Sequence, residues 1–467
     1  MGSMSYRPTI GLEIHAELST STKMFCSCKN DADETRPNVN VCPICLAHPG
    51  TLPTINKEAV RHVLSVGAAV EGTLADFSEF DRKSYFYPDI PKGYQISQYE
   101  YPLVKGGELN KVAITRVHLE EDTARSTHAE GRSLVDFNRA GIPLMELVTE
   151  PVIHDAETAG NFARLLQLLL RSLGASAANL EKGEMRIEAN VLVSEEEGAF
   201  GTKVEIKNLN SFRSVERAIA YEVARQTAAL EKGEVVRQET RGWDEAKEET
   251  FHQRFKEGSA DYRYFPEPDL PKLVLREVPE FTSEVIKASL PELASGREAR
   301  YAAFGLKIAD AAYLAADNKR SSFFDAVAAT IGNDAKTIML AANYFVSDLA
   351  GLAGKAEPAA FAKLAGMLAR GEVSSRAAKD ILVVMKGEGG EPEAIAKANG
   401  LLQVGNPEVL RAVVGEVLVN NEGVVADYRR GKEVALQYLV GAAMKASKGA
   451  GNPGLLRAIL IEEIGRG

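Results

Sequence analysis

The sequence predicts an α+β protein whose N-terminal part is a largely antiparallel sheet and whose remainder is all α. Three observations predict it. Four segments in the first 210 residues alternate apolar and polar side chains with the period of a strand. The helical segments among them are amphipathic, and no strand is the continuous apolar run that a buried parallel sheet requires. From about Pro279 the alternation stops and Ala-, Leu- and Glu-rich segments take over.

Length and charge set the frame. The 467 residues, 45% hydrophobic and 26% charged, suit two or three domains with ample core. No apolar run reaches membrane-spanning length, so no membrane role is expected. Met1–Ser3 ahead of Met4 carry no secretory apolar stretch and are set aside, so the first domain is counted from residue 4. The net charge of −10 disfavours a general polyanion binder, so any RNA contact has to come from a local patch. All four cysteines lie between residues 26 and 45, which points to a reducing cytoplasm and a local metal knot rather than a disulfide framework.

The first strand is IGLEIHAEL. Ile10, Leu12, Ile14, Ala16 and Leu18 share one face, and Glu13, His15 and Glu17 share the other. Cys26 and Cys28, then Cys42 and Cys45, form two close pairs separated by 13 residues, the spacing of a four-thiolate zinc knuckle over 26–45. His48 is a reserve ligand and reads better as a loop histidine. Phe80–Gln98 is dense in Tyr, Phe and Pro, with Arg82, Lys83 and Lys92, and reads as an ordered loop lining a pocket.

Thr115–Pro151 reads as strand, turn, strand. Val117 and Leu119 alternate with Arg116, His118 and Glu120, and the strand runs into Glu121 and Asp122. Three crowded acids repel one another unless a cation sits among them, which suggests a hard-metal site of the magnesium–phosphate kind. The strands MRIEANVLV and TKVEIKNLN repeat the scheme, with Arg186, Glu188, Asn190, Lys203, Glu205 and Lys207 opposite their apolar sets. Acids able to hold divalent cations thus mix with bases able to hold phosphate oxygens, as nucleotide-dependent phosphoryl transfer requires. GxxxxGK[ST] does not occur, and GxGxxG occurs only as GAGNPG at 449–454, in the Ala-rich part without strand alternation, so a P-loop or Rossmann site is not supported.

Helical spacing of Phe162, Leu165, Leu166, Leu169 and Leu173 predicts a helix started by Asp155 and stopped at Gly174. Phe212, Val215, Ile219 and Val223 predict a second, capped by Ser211. Beyond them, Arg241, Arg263, Glu267 and Asp269 are expected to reach the charged sheet face, and Pro266–Pro271 reads as a domain exit. A helical domain then spans 293–404, and a small helical module spans 405–467. That module carries eight Lys/Arg against seven Asp/Glu, about +1 in an acidic chain, with its bases gathered in YRRGK and MKASKGAGNP.

The segments GLEIHAEL, CSC…VCPIC, FDRKSYFYPDIPKGYQISQ, TRVHLEED, SLVDFNRAGIPLMELVTEP, TKVEIKNLNSF, QETRGWDEAKEET, DYRYFPEPDLP and MKASKGAGNP closely resemble, in order, the B subunit of the aspartyl/glutamyl-tRNA amidotransferases (GatB). The resemblance covers nearly the whole chain and lacks the insert of the related archaeal GatE proteins. It implies a glutamine synthetase-like cradle at 4–292, a helical domain, and a YqeY-like, tRNA-binding tail. It implies phosphorylation by ATP of the side chain of Glu on tRNA(Gln) or Asp on tRNA(Asn), followed by amidation with ammonia from a glutaminase partner, the A subunit. A small C subunit completes the heterotrimer. The resemblance places Mg²⁺ on His15, Glu121 and Glu146, with Glu13 and Glu120 beside them, whereas strand parity favours Glu120 over Glu121. It makes Arg139, Glu205 and Lys207 nucleotide- or phosphate-side groups, Lys92 a tunnel-mouth group, and Arg429, Arg430, Lys432, Lys445 and Lys448 tRNA contacts. Zinc occurs in only part of the family and rests here on Cys26, Cys28, Cys42 and Cys45. The competing expectation, a non-catalytic zinc-containing tRNA-binding scaffold for the amidase, leaves the acid-rich sheet face without a task.

Overall fold

The computed structural model describes residues 6–129, 131–195, 199–255, 262–349, 354–403, 407–447 and 451–466. The expected boundary at 404/405 and Lys448 lie outside the described residues. The chain divides into two compact units, Met1–Leu293 and Ala294–Gly467.

Among the described residues the first unit is built on a ten-stranded sheet, in which the short strand Glu108–Leu109 pairs with Val112–Glu121 off the main order. Its middle runs Val204–Leu209, Met185–Ser194, Arg7–Glu17, Pro143–Thr149, Val112–Glu121. Glu239–Asp244 and Glu249–Phe255 extend one edge, and short strands at Val104–Lys105 and Thr73–Leu74 extend the other. Among the described residues every pairing in it is antiparallel except that of Val204–Leu209 with Glu239–Asp244. That parallel pair needs a crossover, supplied by the helix Phe212–Glu231. The apolar set of the first strand forms the back of the sheet: Ile10, Leu12, Ile14, Ala16 and Leu18 are all buried in one core with Phe162, Leu166, Leu170, Val215 and Ile219. The helix Ala156–Ser172 starts where Asp155 accepts a hydrogen bond from the Thr158 amide, and Ser211 caps the second helix through the Ser214 amide. Leu165 is exposed, so the apolar stripe of the first helix is narrower than its sequence suggests.

Two segments depart from expectation. Between the strands Val112–Glu121 and Pro143–Thr149 the chain makes an extra hairpin, Arg125–Ala129 with Arg132–Asp136, where the sequence predicts a simple turn. Most of its residues are polar, and even Leu134 is exposed, so no apolar alternation announces it. Phe80–Gln98 is also not one loop. Asp81–Ser84 pairs with Tyr94–Ser97, and Phe80 is buried against Phe25, so the prolines and Gly93 mark only the connection.

In the second unit the helices Ala294–Ala303, Ile308–Ala315, Asn318–Ile331, Ala335–Ser347, Pro358–Ala369, Ser375–Glu388 and Pro392–Ala398 precede four more. Those four, Pro407–Asn420, Glu422–Arg429, Val434–Ala446 and Pro453–Arg466, gather Leu410, Val414, Leu439, Ala443, Leu456 and Leu460 into a core of their own.

Candidate functional site

The register of the central strands decides which charged residues meet. His15 lies opposite Arg186 on one side and Glu146 on the other, and Glu146 lies opposite His118. Paired residues share a face, so Arg186, His15, Glu146 and His118 form one row across four strands. A second row runs Glu188, Glu13, Val148, Arg116, and a third runs Glu17, Leu144, Glu120.

The rows interlock. His15 Nε2 is 3.3 Å from Glu146 Oε2 and 3.5 Å from Glu120 Oε1. His118 Nε2 is 3.3 Å from the same Glu146 oxygen and 3.9 Å from Glu120 Oε2, which also accepts a hydrogen bond from Ser97 Oγ at 3.2 Å. Burial opposes charge on His15, but the neighbouring carboxylates, Glu146 foremost, outweigh it and push the imidazole up to about 10. Burial likewise opposes charge on Glu146, yet His118 and His15 hold its carboxyl well below the usual range. Burial, with Glu146 and Glu188, pushes Glu13 upward.

Three donor groups converge here: Glu13, His15 and Glu146; His118, Glu120 and Glu146; and Glu13, Glu188 and Glu205. The ligand atoms within each lie no more than 4.8 Å apart. The buried polar atoms His118 Nδ1, Arg116 Nε and Asn190 Oδ1 have no hydrogen-bond partner among the described residues. Carboxylate oxygens with one or two imidazoles fit a hard divalent cation that also holds phosphate.

The expected trio of His15, Glu121 and Glu146 is not what the fold assembles. By strand parity Glu121 points with Val117 and Leu119, away from His118 and Glu120. Its Oε1 accepts hydrogen bonds from Lys92 Nζ and, at 3.0 Å, from the Ile96 amide. Lys92 lies over the rings of Phe25 and Tyr94. Glu120 takes the place beside His15. Lys207 Nζ pairs with Glu188 at 2.5 Å and stands 3.7 Å from Glu205, whose Oε2 accepts from Thr240 Oγ1 at 2.7 Å.

Arg139 Nε donates to Glu17 Oε1 and Asp122 Oδ2, both at 2.8 Å, and Arg186 makes a two-pronged contact with Asp122 at 2.9 and 3.1 Å. Arg241 and the Glu267–Asp269 pair do not reach the rows. Arg241 binds Glu239 and Thr250, while Arg82 holds Glu267 and Asp269. Arg263 has φ 43 in the turn before Phe265–Pro266, and no hydrogen bond or ion pair among the described residues joins it to the rows.

Sequence reasoning puts His118, Arg186 and Glu188 on this face without naming them as site residues. Their register, opposite Glu146, His15 and Glu13, is the signal that singles them out. Lys83 reads in the sequence only as part of a loop. Its ammonium is 4.8 Å from the Tyr262 ring centroid, and although burial opposes its charge, Glu120, Tyr264 and Glu146 raise its pKa. Buried Lys23 gives no sequence signal at all.

The four cysteines come together. Cys45 Sγ is 3.4 Å from Cys26, 3.6 Å from Cys28 and 3.7 Å from Cys42. Thiolates at tetrahedral zinc distance stand about 3.8 Å apart, so this spacing fits a closed zinc site. His48 is not part of the group. In the tail, Arg429, Arg430, Lys432 and Lys445 lie on the helical module, but Asp427 lies 3.4 Å from Arg430 and 3.1 Å from Lys432.

Fold and site together define a sheet-based protein whose charged face gathers carboxylates and imidazoles at metal-ligand spacing, followed by helical modules. A family model described as the GatB/GatE catalytic domain matches residues 8–279, and one described as the GatB domain matches 318–464. The chain belongs to the GatB/GatE family. It is similar to the B subunit of the aspartyl/glutamyl-tRNA(Asn/Gln) amidotransferase of Thermus thermophilus, 44% identical over 99% of this chain and all of the relative. The protein of the same name from Bacillus cytotoxicus is 41% identical over 99% of this chain and all of the relative. The B subunit of the glutamyl-tRNA(Gln) amidotransferase, chloroplastic/mitochondrial, of Physcomitrium patens is 41% identical over 98% of this chain and 85% of the relative. No helix among the described residues is long and apolar enough to cross a membrane.

Proposed function

We propose that this chain is the B subunit of a cytoplasmic, glutamine-hydrolysing, tRNA-dependent amidotransferase. In this reading residues 4–292 are an ATP-dependent, glutamine synthetase-like cradle. Residues 293–404 form the helical domain, and 405–467 form a YqeY-like tail that binds tRNA. The partners are a glutaminase A subunit, a small C subunit, and misacylated tRNA(Gln) or tRNA(Asn).

The observation that carries the proposal is the row His15–Glu146–His118, with Glu120 within 4 Å of both histidines. A carboxylate is a poor acceptor for ammonia, and transfer of the ATP γ-phosphoryl to it makes a mixed anhydride that ammonia can attack. That transfer brings several negative charges to one place. His15, Glu120 and Glu146, with Glu13 beside them, would hold Mg²⁺, which would supply the charge neutralisation. The chain's own residues do the rest. His15 gives up its proton when a cation takes that position, and Glu146, held well below the usual carboxylate range, stays ionised. Lys207, set by Glu188 and Glu205, and Arg139, set by Glu17 and Asp122, offer fixed positive charge to phosphate oxygens. Lys83 faces the same carboxylates from the Asp81–Ser84 strand. The Lys92–Glu121 pair serves the ammonia path at the tunnel mouth. Cys26, Cys28, Cys42 and Cys45 would hold a structural Zn²⁺.

The test is amidation by the reconstituted complex, offered Glu-tRNA(Gln) and Asp-tRNA(Asn) separately. ATP-dependent conversion of at least one supports the reading. tRNA binding without ATP turnover on either substrate favours the scaffold alternative.

A further inference from the structure

Lys23 is fully buried, yet no carboxylate among the described residues lies within ion-pair distance of its ammonium. Its Nζ donates to the Phe137 carbonyl at 3.1 Å and approaches Cys45 Sγ at 3.7 Å. A buried ammonium without a counter-charge is costly. A zinc ion bound by four thiolates has a formal charge of −2, so a metal-loaded knuckle is the counter-charge this lysine lacks.

The same knuckle grips the turn that carries Arg139. The loop between Cys28 and Cys42 contains Arg36–Asn40. Buried Asn138 accepts hydrogen bonds from the Val39 and Asn40 amides, both at 2.8 Å, and donates to the Arg36 carbonyl at 2.7 Å. Asn38 accepts from the Phe137 amide at 2.7 Å. On the other side of the turn the Met24 amide donates to the Gly141 carbonyl at 2.7 Å. The turn is thus held at Phe137, Asn138 and Gly141 by residues in or next to the knuckle. Its next residue, Arg139, reaches Glu17 and Asp122.

We propose that Lys23 is the charge partner of the metal-loaded knuckle, and that Lys23 and Asn138 are positioning residues through which the knuckle sets Arg139. The proposal rests on the zinc reading and, for its second half, on the ATP-dependent function above. A closed tetrathiolate site has no open coordination position for chemistry, so its influence on the reaction has to pass through such contacts.

The test uses the intact heterotrimer. Zinc release to a chromogenic chelator is followed for wild type, Lys23→Met and Lys23→Arg. Loss of a partner outside the coordination sphere weakens metal binding about 10- to 100-fold, so Lys23→Met should release zinc at least about tenfold faster, while Lys23→Arg stays near wild type. Release from Lys23→Met at the wild-type rate, with unchanged circular dichroism, overturns the charge-partner claim. Wild-type complex that holds no zinc overturns the zinc reading and this claim with it.

For the second half, Asn138→Ala should keep its zinc and raise KM for ATP about tenfold while lowering kcat less. Stripping zinc should raise KM in wild type and add little in an Arg139→Ala background. An unchanged KM in Asn138→Ala, or fully additive effects of stripping and Arg139→Ala, overturns the coupling. A complex without any ATP turnover overturns the functional reading and the coupling that rests on it. In that case zinc release still decides the role of Lys23.

Discussion

Glu120 and Glu121 are neighbours in the chain and belong to different charge systems. Glu120 stands 3.5 Å from His15, whereas Glu121 pairs with Lys92. Strand alternation alone separates them. Glu120→Gln should therefore reduce tRNA-dependent ATP hydrolysis by the complex about 100-fold or more, the scale of losing one charge-stabilising group. Glu121→Gln should leave ATP hydrolysis within about threefold of wild type and impair mainly the use of glutamine-derived ammonia. Equal losses of ATP hydrolysis in both variants would count against this division.

The knuckle makes a metal prediction. Protein purified without chelator should contain about one zinc per chain, because four converging thiols bind it as they fold. Cys45 approaches the other three sulfurs, so Cys45→Ser should lose most of that zinc and lower the thermal midpoint. Atomic emission and calorimetry check this, and a zinc-free wild type would refute it.

Stability should depend on pH through Glu17. Burial, then Asp122, pushes its carboxyl up to about 8 against the pull of Arg139, with Glu184 also raising it. Arg186, on the facing strand, pairs with Asp122 rather than with Glu17. Because the folded value lies above the unfolded one, this group's contribution is fully present below about pH 4.5 and is lost as pH rises through about 8. Glu17→Gln stays neutral throughout. Its stability advantage over wild type should grow from about pH 5 to pH 8 and then level off. Urea melts across that range measure the difference, and a pH-independent difference would remove the claim.

Packing behind the sheet gives a prediction free of chemistry. A Cβ on Gly67 would meet Val104 Cγ2 and lie 2.8 Å from Leu74 Cδ2. Gly67→Ala should cost about 1–3 kcal/mol by overpacking, and Val104→Ala should recover part of it. Single and double variants in denaturant titrations decide the point. If Val104→Ala adds its full cost to that of Gly67→Ala, the clash is not the cause.

The tail prediction concerns salt. Lys445 lies in the last turn of the helix Val434–Ala446. If it contacts an RNA phosphate, Lys445→Ala should weaken binding of tRNA(Gln) and tRNA(Asn) alike and reduce the log–log salt slope by about one. Arg430 and Lys432, tied to Asp427, should contribute less per residue. Filter binding at several salt concentrations gives the slopes.

Sequence alone determined the two strand faces. Period-two alternation identified the core residues Ile10, Leu12 and Ile14 and the charged residues opposite them, because a strand sends successive side chains to opposite sides whatever its neighbours are. It also determined the cysteine group and both helix caps, which depend on short spacings. Only the tertiary structure decided register, and register is set by packing and turns far apart in the chain. Register put Glu146 between His15 and His118 and gave Glu120 rather than Glu121 to that group, while the packing of loops brought Phe137 and Cys45 to Lys23, 114 and 22 residues away. The polar hairpin after Glu121 was illegible for the same reason: it buries nothing that a local pattern would announce.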